Sequence, residues 1–436
     1  MENKFINNLT SNETSSFFFK ATIFFLPSIP LISFLFGIVS LVLSHIKTKN
    51  RFFEDKYNYP YIFVGIIMVI SLITNIFLNQ RNNISENIFG LFNWLPYFYA
   101  FWGFQYYLDN PKKRKDCITI YLIGSFPLLV GGFLQYFFGV YGPFSFFNKL
   151  FIWFQRPMCF ENIDGVCSTG ITSAFNHANY YGSWLLIILP FSISYFIYFF
   201  KQKSKLKLIS IFYNFLIIIS LILTASRNSL LGLFLGIYLS LKDIKNNFFI
   251  FLKNTLIFLL ILFFVLLIFD KNKLDLFLPI HLIGKFNTGF LDFSSFTRIK
   301  LLNESLNLIF EKPLLGNGLP LQITYWKVSK ITHSHNLFLE ISLIYGLLSS
   351  VILFSNFLII LLKSSLKVFS EKYYIKNIGK DIFERAWIIS FIIMLITSLF
   401  DITYYDIKIS FSFWILLSGL RCILKEKEKE KEKMII

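Results

Sequence analysis

Charged residues are scarce in this 436-residue sequence, where Asp, Glu, Lys and Arg together make up 15%. In a soluble protein, such residues make up roughly a quarter of the chain. Hydrophobic residues make up 55% of the chain, and its mean hydropathy is +0.60. Apolar runs of about 20 residues, the length that a spanning helix needs, recur along the sequence. The shortage of charge therefore excludes an ordinary soluble protein and predicts an all-α integral membrane protein.

Two functional signatures are also absent. Gly316, Asn317 and Gly318 form a turn signal and not a nucleotide-type phosphate-binding loop, so we expect no nucleotide-driven enzyme. His333 and His335 are two residues apart, and on one helix such residues point to different faces. No Cys/His or acidic cluster with ligand spacing appears elsewhere outside the apolar runs. The sequence therefore predicts neither a metal nor a cofactor.

The basic residues predict the orientation of the chain in a membrane. The formal net charge is +17, but the lysines and arginines lie in short clusters between apolar runs. The positive-inside rule explains this pattern without a nucleic-acid partner and places the clusters on the cytoplasmic side. These clusters are Lys47–Arg51, Lys112–Lys115, Lys201–Lys203, Lys242–Lys245, Lys363–Lys380 and the tail from Lys425.

The apolar runs predict about eleven or twelve transmembrane helices. The first run is broken by Pro27 and Pro30, and we favour a helical hairpin there over one long helix, which gives the higher number. The predicted runs are Phe17–Ser44, Tyr61–Leu78, Ile88–Leu108, Ile118–Phe138, Tyr180–Phe200, Leu206–Leu223, Ser229–Leu241, Phe249–Phe269, Asn336–Leu362, Ala386–Phe400 and Ile409–Leu424.

This topology divides the chain into six segments. Residues 1–138, 180–269 and 335–424 are predicted to hold the transmembrane helices, and 425–436 a charged, solvated cytoplasmic tail. Residues 139–179 and 270–334 are predicted outer loops, the second of which is too long to be an idle connector. Apolar residues at helical spacing from Phe296 to Phe310, followed by Pro313, predict a helix within it.

The four cysteines agree with this topology. Cys159 and Cys167 share one outer loop, where an oxidising compartment would allow a disulfide. The sequence leaves open whether they pair or remain unrelated thiols. Cys117 and Cys422 lie near the predicted cytoplasmic face and are expected to stay reduced.

Isolated arginines stand out on the outer side, where basic clusters are missing. Arg227 lies between two apolar runs that are barely long enough to span, and a guanidinium there needs an anionic partner or water. Arg298 opens the predicted loop helix after Ser294, Ser295 and Thr297, which are natural caps at a helix start suited to anions. Phosphate binding is the functional interpretation of both arginines. Interfacial snorkelling of Arg227 and a solvated surface Arg298 are the structural alternatives.

Histidine is rare, with five residues in the chain, and two of them, His333 and His335, precede a predicted membrane helix. Imidazole is the side chain best suited to take a proton near neutral pH. Local capping by His335 is the alternative. Glu340 follows about one turn later, where it would orient the ring or pair with an arginine. His177 lies at another outer loop-to-helix junction.

The run His333-Ser334-His335-Asn336-Leu337-Phe338-Leu339-Glu340, with Gly346 further along, resembles the signature of the O-antigen ligase and Wzy-type O-antigen polymerase family. Three other stretches resemble its motifs in the same order. These are Phe175–Asn179, the Ser226-Arg227 junction, and Arg298 followed by Pro313–Gly318. The resemblance covers roughly Phe175 to Leu362 with specific motifs.

The resemblance implies a GT-C-like, metal-independent, inverting glycosyltransferase of the inner membrane. Such an enzyme takes glycan from undecaprenyl-pyrophosphate on the periplasmic side. By this resemblance His335 is the base, Arg227 and Arg298 hold the donor pyrophosphate, and His333, Asn336, Asn179 and Glu340 line the substrate site. His333 is extra to the family pattern, and we rank His335 above it as the base because His335 precedes Asn336.

The function remains open between related alternatives. The leading one is a ligase that transfers glycan to lipid A-core or a similar acceptor, because the stretch at Phe175 and the Ser-Arg junction resemble ligases more closely. A Wzy-type polymerase, whose acceptor is the glycan of a second lipid-linked unit, shares the same motifs. A lipid-linked glycan transporter is an alternative of another class, but it predicts paired halves and charges at mid-bilayer depth, and we detect no internal repeat.

Overall fold

The protein is described here from a computed structural model. The structure describes residues 12–48, 52–78, 84–140, 142, 144–146, 151–153, 170–242, 250, 254, 294–318, 333–369 and 378–435. The predicted span Phe249–Phe269 lies almost wholly outside these ranges, and Arg156, Cys159 and Cys167 lie outside them. Cys117 and Cys422 are buried free thiols, in agreement with the expectation for them.

The described chain is mainly α-helical. Its helices are α1 (Asn12–Phe25), α2 (Pro30–Lys47), α3 (Tyr59–Leu78), α4 (Ile84–Phe92), α5 (Leu95–Gly103), α6 (Pro111–Phe138), α7 (Ala178–Lys201), α8 (Lys207–Leu223), α9 (Arg227–Leu241), α10 (Ser294–Glu311), α11 (Leu337–Tyr345), α12 (Leu347–Val368), α13 (Ile378–Thr397) and α14 (Ile407–Ile435). Short 3-10 helices cover Phe52–Glu54, Lys56–Asn58 and Phe104–Tyr107. Strands β1 (Phe144–Phe146) and β2 (Phe151–Trp153) pair antiparallel.

Six of the described helices are long and apolar enough to cross a membrane. They are α2, α3 with its preceding turn, α6, α7, α12 and the first 20 residues of α14. Helices α8 and α9 are apolar but shorter, at 17 and 15 residues. Large apolar side chains such as Phe77 and Phe138 point outward, which suits a lipid environment and not water. The chain is therefore a multi-pass helical membrane protein, as its composition predicted.

The N-terminal run folds as the predicted helical hairpin. Phe18 and Phe36 lie with ring centroids 5.7 Å apart, and the Ser33 hydroxyl donates to the Thr22 carbonyl at 2.7 Å. Helices α1 and α2 are therefore antiparallel. Pro30 starts α2 because a proline in the first helical turn needs no N–H donor.

Two runs predicted as continuous helices are interrupted. Helix α4, helix α5 and a 3-10 helix replace the predicted Ile88–Leu108 span, with Pro96 in the first turn of α5. The predicted Asn336–Leu362 span divides at Gly346, whose φ of +89° is a conformation that glycine adopts readily. Both predictions were wrong because hydropathy does not report a local break in backbone direction.

Charged residues from predicted cytoplasmic segments meet at one end of the bundle. The buried Arg114 guanidinium pairs with Glu384, and with Glu426 at 2.8 Å. The Arg421 guanidinium donates to both oxygens of Asp55, at 2.9 and 3.1 Å for its closest contacts. These contacts join segments far apart in sequence and bring the Lys112–Lys115 cluster and the start of the tail to the same end, as the charge pattern predicted for these two clusters.

The predicted tail is part of a helix. Helix α14 continues to Ile435 through the Lys/Glu repeat. Glu426 and Glu428 on its last turns pair with Arg114 and Arg421. The expectation of a solvated extension starting at Lys425 was therefore wrong for the first turn after it, since these carboxylates compensate buried guanidinium groups.

Candidate functional site

The start of three helices and the end of a fourth meet at the opposite end of the bundle. His177 caps α7, Ser226 caps α9 and Asn336 caps α11, each through a side chain that accepts a backbone N–H. The Asn228 amide donates to the Thr397 carbonyl at the end of α13, at 3.1 Å. Helix N-termini carry partial positive charge, so this end of the bundle favours an anion.

The two residues before α11 set the geometry of the site. The Asn336 side chain accepts the Leu339 N–H at 3.1 Å and donates to the Leu399 carbonyl at 3.0 Å. His335 has a φ of +55°, a conformation uncommon for a residue with a side chain and found preferentially at functional sites. His335 therefore lies on a turn that Asn336 fixes directly before the first residue of α11.

The His335 ring faces a buried carboxylate. Its Nδ1 lies 3.2 Å from Asp401 Oδ1, and the His335 side chain is 31% exposed whereas that of Asp401 is 7% exposed. Asn179, in the first turn of α7, donates from its amide to Asp401 Oδ2 at 2.5 Å. The three residues form a chain, Asn179 to Asp401 to His335, which joins helix α7, the α13–α14 connection and the turn before α11.

The charge of Asp401 determines which nitrogen of the neighbouring imidazole donates the shared hydrogen bond. Burial raises the pKa of Asp401, but the hydrogen bond and charge of His335, with the Asn179 amide and His333, hold it below its usual value. Asp401 is therefore ionised and accepts, so Nδ1 of His335 carries the shared proton. The Nε2 atom of a neutral His335 is then the acceptor that a substrate hydroxyl needs.

His333 lies next to this pair. Its ring centroid is 4.3 Å from that of His335, and burial, with the charge of His335, lowers the pKa of His333 to about 4. The expectation that the two imidazoles point to different faces of one helix was wrong, because both residues precede the first turn of α11. The structure thus removes the premise from which we excluded a shared metal site.

Glu340 does not orient His335. Its carboxylate is buried and accepts the backbone N–H of Ser334 at 2.9 Å. The Ser334 hydroxyl in turn donates to the Asn336 carbonyl at 2.9 Å. Glu340 therefore stabilises the His333–Asn336 turn, and the carboxylate that faces the His335 ring is that of Asp401.

The structure places the two predicted arginines on helix starts. Arg227 is the first residue of α9 and is half-buried, next to the Asn228 contact with the end of α13. It therefore lies at the same end of the bundle as the His335–Asp401 pair. Arg298 lies in the second turn of α10, which confirms the predicted loop helix, but its side chain is outside what the structure describes.

A glycine-rich turn connects α10 with α11. After Pro313, the N–H groups of Asn317 and Gly318 donate to the carbonyls of Leu343 and Ile344, at 2.7 and 3.1 Å. The turn therefore packs on the break that follows α11. A Cβ added to Gly346 would lie 2.0 Å from the Leu314 carbonyl oxygen, so only glycine fits this contact.

Lys408 was not identified from the sequence as a residue near the site. This buried side chain, near the start of α14, donates to the Ala174 carbonyl and lies 3.9 Å from the Phe175 ring centroid. It stabilises the segment that leads into α7 and Asn179. Its only signal in the sequence is its position beside Asp406 at the beginning of an apolar run. Asp401 was visible as one of several outer carboxylates, but nothing in the sequence selected it.

Fold and site define a multi-pass membrane protein with a His–Asp pair and a candidate anion site at one end of its helical bundle. The family model described as O-antigen ligase matches residues 212–354, which confirms the family resemblance predicted from the sequence. The matched segment includes Arg227, Arg298, His333, His335 and Asn336. The match supports ligase- or polymerase-type glycan transfer in general. No curated protein matches the chain.

Proposed function

We propose that the protein transfers a glycan from undecaprenyl-pyrophosphate to lipid A-core or a similar acceptor, on the periplasmic side of the inner membrane. The observation that carries this proposal is the His335–Asp401 pair, which lies at the end of the bundle opposite the cluster of basic residues. His335 also lies within the segment that matches O-antigen ligase.

The His335 ring is arranged to act as a general base. Asp401 accepts a hydrogen bond from the Nδ1–H group, so the lone pair of Nε2 can accept the proton of the acceptor hydroxyl. The hydroxyl oxygen attacks the anomeric carbon at the same time. The bond between this carbon and the phosphate oxygen breaks at the same time, and the pyrophosphate leaves with the electron pair. Attack from the opposite face inverts the anomeric centre. The imidazolium that forms is stabilised by the Asp401 carboxylate.

The donor pyrophosphate requires positive charge, which Arg227 and Arg298 supply in this proposal. A guanidinium binds two phosphate oxygens at once, which a lysine ammonium cannot do. The N-termini of α7, α9 and α11 add their partial positive charge at the same end of the bundle. These groups stabilise the charge on the leaving pyrophosphate, so the reaction needs no divalent ion.

Asn336, Asn179 and Glu340 have supporting roles in this scheme, and His333 lies beside the base. Asn179 holds the second oxygen of Asp401, and Asn336 fixes the turn that carries His335. Glu340 stabilises the same turn through the Ser334 N–H. The proposed substrate site is therefore lined by residues from α7, α9 and α11, from the turn before α11 and from the connection between α13 and α14.

Mutation of His335 in a strain that lacks the native gene tests the proposal. We expect His335→Ala to abolish glycan attachment while membrane levels of the protein stay normal. The matched control is His45→Ala, because His45 contacts Tyr99 in another part of the bundle. Normal surface glycan with His335→Ala would refute the assignment of the base.

The products of the inactive variant distinguish a ligase from a polymerase. Loss of a ligase leaves long carrier-linked chains in the membrane, because polymerisation continues. Loss of a polymerase leaves single carrier-linked units. Long chains would support the ligase proposal, and single units would replace it with the polymerase.

A further inference from the structure

His333 has no part in the transfer mechanism proposed above, yet it lies against the residues that do. One ligand atom each of His333, His335 and Asp401 lies within 4.8 Å of the others. Two imidazole nitrogens and a carboxylate oxygen are a ligand set that suits Zn²⁺ and related ions. The two imidazoles lie on a turn fixed by Asn336 and Glu340, and the carboxylate comes from the connection between α13 and α14, so the three groups together form a candidate metal site.

The separations fit tetrahedral coordination. Zn²⁺ binds histidine nitrogen and carboxylate oxygen at roughly 2.0 to 2.2 Å, which places two tetrahedral ligands roughly 3.4 Å apart. His335 Nδ1 and Asp401 Oδ1 are already 3.2 Å apart. All three ligand atoms lie within 4.8 Å, so small side-chain rotations are enough to close the site on an ion.

The surroundings of Asp401 also suit a metal ligand. Asn179 donates to Oδ2 at 2.5 Å, and Oδ1 accepts the Ile402 N–H at 2.9 Å and faces His335 Nδ1 at 3.2 Å. A hydrogen bond to the second carboxylate oxygen is the outer-shell support that orients ligands in metal sites. Asp401 is thus fixed to offer one oxygen to an ion between the two imidazoles.

We propose that His333, His335 and Asp401 bind one divalent transition-metal ion of the zinc type, and that this ion inhibits glycan transfer. The inhibition rests on the function proposed above, whereas the binding does not. An ion on His335 Nδ1 uses the lone pair of that atom, so the single proton of the neutral ring resides on Nε2. The base then has no lone pair for the acceptor hydroxyl, and Asp401 is directed to the metal and not to the imidazole.

The binding is tested on the full-length protein in detergent, stripped with a chelator and titrated with Co²⁺ and Zn²⁺. We expect one ion per chain with the visible absorption of tetrahedral Co²⁺. His333→Gln and Asp401→Asn should each weaken binding at least tenfold, while His45→Gln should bind as the wild type does. Circular dichroism and gel filtration verify the fold of each variant. Equal affinity of wild type and a folded His333→Gln protein would overturn the site.

The inhibition is tested by the transfer rate with and without Zn²⁺, each variant being compared with its own metal-free rate. We expect Zn²⁺ to reduce the wild-type rate at least tenfold, and His333→Gln to raise the half-inhibitory concentration at least tenfold. An unchanged wild-type rate at saturating Zn²⁺, or a rate that is lost with the chelator, would overturn the inhibition. Metal binding by a protein without transfer activity would instead refute the proposed function and leave the site.

Discussion

Replacement of Asp401 by asparagine separates the roles of the carboxylate charge and of its shape. Asparagine keeps the size of the side chain, so it preserves the packing of the connection between α13 and α14. The neutral amide offers no charge to the imidazolium that forms when His335 takes a proton. We therefore expect slower transfer with an unchanged affinity for the donor.

The distance between the two charges sets the magnitude. Unit charges at the observed 3.2 Å attract by about 5 kcal/mol at an effective dielectric constant of about 20. His335 is 31% exposed, so water screens the pair, and we take about half of this value. A loss of about 2.7 kcal/mol from the transition state corresponds to a decrease of about 100-fold in kcat.

The assay is transfer from a purified lipid-linked donor in the presence of a chelator, with kcat and the donor KM measured separately. Asp406→Asn is the matched control, because Asp406 lies on the same connection and its Oδ1 accepts the Lys408 N–H at 2.9 Å, which asparagine can also do. A kcat of Asp401→Asn within threefold of the wild type would refute the role of the carboxylate. An equal decrease in both variants would show that the connection itself is damaged.

Three further outcomes are expected. Arg227→Lys should lower the transfer rate at least tenfold at normal protein levels, because lysine keeps the charge but loses the bidentate contact. If this variant had the wild-type rate at saturating donor and the wild-type donor KM, that result would contradict phosphate binding by Arg227. Gly346→Ala should lower the free energy of unfolding by about 3 kcal/mol or more, measured by thermal unfolding, because the added Cβ meets a carbonyl oxygen. Gly139→Ala, where φ is also positive but the space is open, should lower it by about 1 kcal/mol. Equal losses in the two variants would contradict the packing argument. Glu384→Gln should destabilise the protein by about 3 kcal/mol or more, because the buried Arg114 guanidinium loses one of its two carboxylate partners and keeps the partly exposed Glu426. A loss below about 1 kcal/mol, as for an exposed pair, would contradict this.

Hydropathy and basic clusters predicted the fold class and the grouping of segments at the two ends. Both patterns follow from the membrane itself, because spanning segments must be apolar and basic residues remain on the cytoplasmic side. The breaks at Trp94 and Gly346 were not predictable in the same way. They depend on contacts between distant segments, such as that between Leu314 and Gly346, which an apolar run does not encode.

The candidate site, like the fold, was predictable from the sequence only in part. The sequence pointed to Arg227 because a guanidinium next to a membrane helix is costly and therefore conspicuous, and to His335 because imidazole is suited to take a proton and this residue precedes Asn336. It did not identify the partner of His335, because Asp401 is 66 residues away in sequence. It offered Glu340 as a partner of the ring or of an arginine, since spacing along a helix places that carboxylate near the ring but does not show that it accepts the Ser334 N–H.

The Pro313–Gly318 turn explains why a motif far from any reacting group belongs to the site. Helix α10 carries Arg298, and the turn at its end is hydrogen-bonded to the last residues of α11, whose first residues carry Asn336. In the proposed reaction the donor phosphate and the acceptor hydroxyl are held by different helices, and a displacement of about 1 Å between them would lower the rate about 100-fold. The contact at Gly346 fixes the end of α11 against the end of α10, so in the proposed reaction it would keep the helix that carries Arg298 and the helix that follows His335 at a constant separation.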